Sequence, residues 1–220
     1  MLIGVIAGTL IDTQMGVDFL YRNKLQAKGY PVSQTPKEQS RLQLLDKEIL
    51  YKKVIELVKK AKQDGIRAIF VYCNSLSAAI DMEKVELDTN IPIITPFTAY
   101  KKLGREYSSL LILAANGQSC GKIEAALEET NENIRLWSIS ALPLVEEIEK
   151  HLLPEEIYNN YNLKLILMWA EELKVEGIIL GCTHFPYLKE ALERETDITI
   201  LDPGAIALDK IKKAILWGMN

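Results

Sequence analysis

The chain has 220 residues, 48% of them hydrophobic and 25% charged, and a net charge of −4. That is enough apolar chain for a large core, in one domain or two lobes. An acidic chain without a Lys/Arg block or a basic amphipathic helix argues against nucleic-acid binding and against a membrane surface. The apolar N-terminus "MLIGVIAGTLIDTQ" has no basic leading region and reaches Asp12 too early for a signal peptide or a spanning helix. Three cysteines, an odd and small number, suit free thiols in a reducing compartment, so a cytoplasmic location is expected.

Short apolar runs alternate with amphipathic stretches. Strands are predicted at 2–8, 30–34, 66–73, 91–95, 109–115, 134–139, 177–182 and 198–202. Several are rich in Ile, Val and Leu on both faces, as strands of a parallel sheet covered by helices are. Between them, 47–62 reads as a helix with Ile49, Leu50, Val54, Ile55, Leu57, Val58 and Ala61 on one broad stripe. A further helix is predicted from Pro154, with Glu155 and Glu156 beside its positive end and Gly177 beyond its last turn. The fold class is α/β with mostly parallel sheets.

The chain also repeats itself. "GVIAGT" at 4–9 returns as "LILAAN" at 111–116, and "IPIITP" at 91–96 returns as "ITILDP" at 198–203, both 107 residues on. "IFVYCNS" at 69–75 returns as "IILGCTH" at 178–184, 109 residues on. Three pairs in one order at nearly equal offsets predict two similar α/β lobes related by a pseudo-twofold, with the active site in the cleft between them. The lobes are expected at 1–97 plus 204–220 and at 98–203.

In this scheme Cys73 and Cys182 hold equivalent places, each at the carboxyl end of a strand and the start of a helix. That edge of an open α/β sheet is where ligands bind, and a helix start favours a thiolate. A thiol of ordinary pKa, about 8.5, is a few per cent ionised at neutral pH. Two neighbouring thiols resist double ionisation, so one thiolate and one thiol is the working state. The thiolate takes a proton from a carbon acid and the thiol returns one to the opposite face. Asn74, Ser75, Thr183 and His184 follow the two thiols and are placed to hold a substrate carboxylate. No cofactor is needed for such chemistry.

"CNSLSA" at 73–78 and "GCTHFPYL" at 181–188 resemble the two cysteine motifs of the cofactor-independent aspartate/glutamate racemase family, the second in its glutamate racemase form. The resemblance implies that Cys73 and Cys182 are the paired acid and base. It also implies that Asn74, Ser75, Thr183 and His184 hold an amino-acid substrate or tune the thiols, and that Thr9 lines the site. It implies a homodimer as well. The chain departs from the family in two turns. Where glutamate racemases carry Asp-Ser after the first strand, this chain has Ala7 and Gly8, closer to the Gly-rich turn of aspartate racemases, and Asp12 is the nearest candidate for the missing carboxylate. "AANGQS" at 114–119 stands where the family often has a Thr-containing turn.

Other residues have plainer readings. Cys120 has no partner motif and reads as structural; His151 reads as a surface residue near a helix end; Arg41, in "QTPKEQSR", reads as solvated; Trp137, Trp169 and Trp217 read as core or interface. Cys182 and His184 with a distant Cys73 lack the spacing of common zinc sites, so no metal is expected. No dinucleotide or P-loop fingerprint occurs. The reading is a racemase of glutamate or aspartate. A hydantoin racemase, a maleate isomerase or a decarboxylase of the same superfamily is the alternative, or a two-lobed small-molecule binding protein that has lost catalysis.

Overall fold

Every apolar run read from the sequence forms a strand or part of one in the computed structural model, which describes residues 2–35, 38–39, 41–42 and 47–217, with side chains through 214. The strands are β1 (Leu2–Ala7), β2 (Gln26–Pro31), β3 (Ile69–Val71), β4 (Ile93–Ile94), β5 (Ser109–Ala114), β6 (Arg135–Ser140), β7 (Gly177–Leu180) and β8 (Thr199–Leu201). They make two four-stranded sheets of the same topology, β2-β1-β3-β4 and β6-β5-β7-β8, parallel throughout. The chain divides into two compact units, Met1–Thr98 with Gly204–Asn220, and Ala99–Pro203.

In the first unit α1 (Leu10–Arg22) follows β1, and α2 (Lys47–Gln63) leads into β3. Beyond β3 come α3 (Asn74–Ala79), α4 (Met82–Thr89) and, after β4, α5 (Phe97–Glu106), which starts in the first unit and belongs to the second from Ala99 on. The central strands β1 and β3 pair Val5 with Phe70 and supply the middle of the core. Val54 and Val58 of α2 cover it, together with Leu208 and Ile211 of the last helix, α11 (Pro203–Trp217). The buried stripe of α2 is narrower than predicted. Leu50, Val54, Val58 and Ala61 are buried, while Ile49 is exposed.

Gly16 marks where α1 lies closest to the sheet. A Cβ there would stand 2.7 Å from Val5 Cγ1 and 2.8 Å from Tyr72 Cβ. Gly16→Ala is therefore expected to force α1 off β1 and to cost about 1–3 kcal/mol, read as a lower urea midpoint with an unchanged slope. An unchanged midpoint would rule out so close an approach.

The second unit holds α6 (Gly117–Glu128), α7 (Leu142–Glu149), α8 (Pro154–Asn160) and α9 (Leu163–Glu172). A 3-10 turn (Phe185–Leu188) and α10 (Lys189–Glu193) complete it. Its central strand β5 is buried along its whole length and pairs Leu110 with Gly177 of β7.

Two sequence expectations need correction. The strand predicted at 30–34 lies earlier, at Gln26–Pro31, because the ladder to β1 sets Leu2 opposite Gln26 and Ala7 opposite Pro31. It is an edge strand with only Ala27 and Tyr30 buried, so its apolar signal is weak, and the apolar Val32 lies beyond it. The helix predicted from Pro154 is two helices, broken at Tyr161 and at Asn162, whose φ of 50° is left-handed. Glu156 caps the first of them by accepting the Leu153 N–H at 3.1 Å, and Gly177 opens β7 rather than closing a helix. Of the tryptophans read as core or interface, Trp169 is 42% exposed, and Trp137 is half-buried with the Arg135 guanidinium 5.9 Å from its ring centre. The Trp217 side chain lies outside the described residues. His151 follows α7 in a left-handed conformation and is exposed. Among the described residues no helix is long and apolar enough to cross a membrane.

Candidate active site

The topology selects one edge in each unit. From β1 the chain steps outward to β2, then returns to place β3 on the other side of β1; β5, β6 and β7 repeat this. Beyond the carboxyl ends of two such strands lies the crevice where open α/β sheets bind ligands. In the first unit that crevice is bordered by Gly8-Thr9 after β1 and by Cys73 after β3; in the second, by Ala115-Asn116 after β5 and Cys182 after β7.

Thr9 is the N-cap of α1. Its Oγ1 accepts the Asp12 N–H at 3.1 Å, and the Asp12 carboxylate accepts the Gly8 N–H at 3.1 Å. This is a reciprocal cap of the capping-box kind, displaced by one residue. Asp12, proposed from sequence as a substitute carboxylate, is thus tied to the backbone of the turn and is 1% exposed. Ser33 closes the turn from β2's side, donating its hydroxyl to the Gly8 carbonyl at 2.6 Å.

Cys73 is the N-cap of α3, in extended conformation, and is 3% exposed. Strand alternation puts Phe70 and Tyr72 on the opposite face from Val71 and Cys73. There Tyr72 stacks on Phe19 with ring centres 5.6 Å apart, and Phe70 meets Tyr72 edge-on at 5.4 Å. The aromatic group anchors the strand end that carries the thiol. Ser75 Oγ lies 3.4 Å from Cys73 Sγ, and the Gln39 amide donates to Sγ at 3.3 Å and to Ser75 Oγ at 3.2 Å. Asn74 is buried beside them in the chain.

In the second unit Gly181 brings the chain out of β7. Its N–H donates to the Leu113 carbonyl at 2.7 Å, and a Cβ at 181 would stand 2.8 Å from Ile123 Cδ1 and 3.1 Å from that carbonyl. Cys182 follows, 7% exposed, with its carbonyl accepting the Phe185 N–H at 3.0 Å. The helix expected at this thiol is one 3-10 turn followed by the five residues of α10, too short to build up a macrodipole. The side chains around the thiol matter more. His184 Nδ1 lies 3.6 Å from Cys182 Sγ, and His184 Nε2 lies 3.1 Å from Glu149 Oε1 at the end of α7. The carboxylate takes the Nε2 hydrogen, which leaves Nδ1 facing sulfur, able to accept its proton when neutral and to donate when charged. Thr183 and His184 are both buried.

Tyr100 of α5 is fully buried in the same unit. Burial first, then the negative charges of Cys182 and Asp202, push its phenol well above its usual pKa, so it is protonated at neutral pH. Cys120 is a core thiol. Burial, then the Glu124 carboxylate, raise its pKa, which keeps it in the unreactive thiol form.

Sequence reasoning named Cys73 with Asn74 and Ser75, and Cys182 with Thr183 and His184; each set lies at one strand end of its own unit. It missed Glu149 and Gln39. Glu149 sits in "VEEIEK" beside two other carboxylates, Glu146 and Glu147, with nothing in the spacing to single it out. Gln39 shares a polar stretch with Arg41, which is exposed. Among the described residues no group of three or more His, Cys, Asp or Glu side chains is arranged to hold a metal ion.

The profile of the family described as Asp/Glu/Hydantoin racemase matches residues 14–211. A glutamate racemase of Clostridium botulinum (strain Alaska E43 / Type E3) is 30% identical over 164 residues, which is 72% of this chain and 63% of that protein. One from Stutzerimonas stutzeri (strain A1501) is 27% identical over 161 residues, 70% of this chain and 60% of that protein. The chain thus matches less than two thirds of the length of these curated relatives. Among solved structures, glutamate racemase from Francisella tularensis in complex with D-glutamate superposes with a TM-score of 0.75 at 19% identity, covering 99% of this chain and 81% of that one. An aspartate racemase homologue from Pyrococcus horikoshii OT3 gives 0.70 at 19% identity, over 96% and 98%. At such identity the likeness is one of fold.

Proposed function

The chain belongs to the Asp/Glu/Hydantoin racemase family, and from that premise we propose that it inverts the α-carbon of an acidic amino acid, glutamate or aspartate, without a cofactor. Cys73 and Cys182 are the acid and the base. The observation that carries this reading is the pair of buried thiols just past the equivalent strands β3 and β7, each with polar side chains on its sulfur.

One cysteine, as thiolate, removes the α-proton and becomes a thiol. The electron pair left on carbon is delocalised into the substrate carboxylate, where N–H and O–H donors stabilise it. Thr9, Asn74, Ser75 and Thr183 are the side chains proposed to meet the substrate. The other cysteine gives its proton to the opposite face and becomes a thiolate, so the enzyme ends in the mirror protonation state. His184 relays charge to Cys182. With Nδ1 beside sulfur and Nε2 on Glu149, the imidazole takes up positive charge when the thiol ionises, and the carboxylate supports it.

The test is the protein in D2O with each of L-Glu, D-Glu, L-Asp and D-Asp, followed by α-proton NMR and optical rotation. Exchange with inversion of one acidic amino acid is the expected result and names the substrate. Exchange without inversion would leave one working thiol and refute the pair. No exchange with any of the four would sink the acidic amino-acid reading and return the hydantoin, maleate, decarboxylase and binding alternatives.

Glu149→Gln keeps the shape of the side chain but removes the charge that orients and supports His184. Turnover should fall by about 10²-fold, the cost of a misplaced catalytic group, with KM nearly unchanged. A KM effect alone would make Glu149 a substrate contact instead.

A further inference from the structure

The two thiols have different neighbours. Cys182 faces a titratable ring, His184, which leans on a carboxylate. Cys73 faces an amide and a hydroxyl. Gln39 Nε2 lies 3.3 Å from Cys73 Sγ and 3.2 Å from Ser75 Oγ, and Ser75 Oγ lies 3.4 Å from Sγ. An amide nitrogen carries two hydrogens, so it can donate to sulfur and to the hydroxyl oxygen at once. The space it needs exists because residue 8 is glycine: a Cβ at Gly8 would stand inside the Gln39 amide group. Gly8 is in turn fixed on both sides, its N–H by Asp12 and its carbonyl by Ser33.

We propose that Gln39 is the positioning residue of the first thiol: its amide holds Cys73 Sγ in place and favours the thiolate. The contact with sulfur is independent of what the enzyme acts on, while its use in proton transfer rests on the racemase reading. A hydrogen bond to the charged form favours that form, and bonds to ionised acceptors are about twice as strong as neutral ones. The amide does not titrate, so it stays a donor through the whole cycle and never competes for the substrate's proton. The state change falls to Ser75, whose hydroxyl donates to the thiolate and turns to accept from the thiol. Asp12 and Glu38 are the charged side chains nearest in the chain to Gly8 and Gln39. Asp12 is engaged by the Gly8 N–H, and Glu38 accepts the Gln34 N–H and pairs with Lys53, the first of these holding its carboxyl below the usual range.

Gln39→Leu removes the donor. Gln39→Glu keeps the shape and places a carboxylate against the sulfur. Gly8→Ala leaves Gln39 in the chain but evicts its amide, which is the far end of a flexible side chain and moves without damage to the fold. Each full-length variant is alkylated with iodoacetamide across a pH series. Modification of Cys73 is counted by peptide mass spectrometry, with the Cys182 peptide from the same digests as reference. The same samples are run through the four-substrate D2O exchange.

All three variants are expected to move the Cys73 alkylation midpoint upward by about one pH unit, with Gln39→Glu moving it most. At neutral pH this is about a tenfold loss of Cys73 thiolate. A merely space-filling Gln39 would be replaced by Leu without moving the midpoint, whereas a carboxylate at 39 raises it by like charge in either case. An unmoved midpoint in the folded variants, Gly8→Ala included, overturns the proposal. If the midpoints move but the parent protein exchanges no acidic amino acid, the racemase reading fails and the assignment of Gln39 to Cys73 stands.

Discussion

On the proposed two-thiol mechanism, Cys73→Ser and Cys182→Ser are each expected to stop inversion and to leave α-proton exchange with one enantiomer only, a different one in each variant. A serine hydroxyl at the same place is almost never ionised near neutral pH and is a poor acid towards a carbanion, so the loss should be about 10²- to 10⁴-fold, the contribution of one positioned acid–base group. The remaining thiol still works as a base on the face it meets. It takes up the proton of one enantiomer, exchanges it with solvent and returns deuterium to the same face. The pattern of surviving exchange therefore assigns each thiol to its enantiomer, which the near-symmetry of the two motifs conceals. Both buried thiols have polar partners, and serine matches cysteine closely in shape, so the fold should survive. The comparison is made by deuterium incorporation into all four acidic amino acids, with thermal midpoints as control. Inversion retained in either variant would show that a group other than the mutated thiol moves the proton. A binding protein would tolerate both substitutions.

Phe185→Ala has the largest expected effect on stability. Phe185 is fully buried and opens the 3-10 turn directly after His184, and its N–H donates to the Cys182 carbonyl at 3.0 Å. The turn packs against α7, α8 and α10. Removing the ring should cost about 3–5 kcal/mol, the transfer term plus the cavity left in a close-packed interior, read from urea midpoints. Phe185→Leu keeps most of the volume and should cost less. The site should suffer with the core. The turn follows directly on Cys182 to His184 while α7 carries Glu149, so loosening one against the other lengthens the 3.1 Å contact between His184 and Glu149. Variant protein held well below its melting temperature should then show turnover reduced as in Glu149→Gln. A cost below about 1 kcal/mol would mean that the ring is not packed as its burial indicates.

Local pattern was enough for some of this protein. Ile3, Val5, Ile6 and Leu110–Leu113 lie in strands because unbroken apolar, β-branched-rich runs of six or so residues bury both faces only inside a covered parallel sheet. The repeat at 107 residues was legible because two sheets of the same strand order demand the same order of apolar runs and turns. Cys73 and Cys182 stood out because each interrupts the passage from an apolar run to a polar one, at the strand end where a chain leaves its sheet. Edge strand β2 was misplaced because a strand with only Ala27 and Tyr30 buried has little hydrophobic pattern, and its register is set by hydrogen bonds to β1.

Packing over long separations decided the rest. Gln39 reaches Cys73 across 34 positions of chain, and Glu149 reaches His184 across 35. Neither residue differs from its polar neighbours in type or spacing, so nothing local marks it. Gly8 reads in sequence as the loss of a side chain; in the folded unit it is the space that another residue's amide fills. A hydrophobic period describes what a residue must be buried from, and that is a property of its own segment. Which polar atom meets a given sulfur depends on how two distant segments cross, and only the folded chain specifies that.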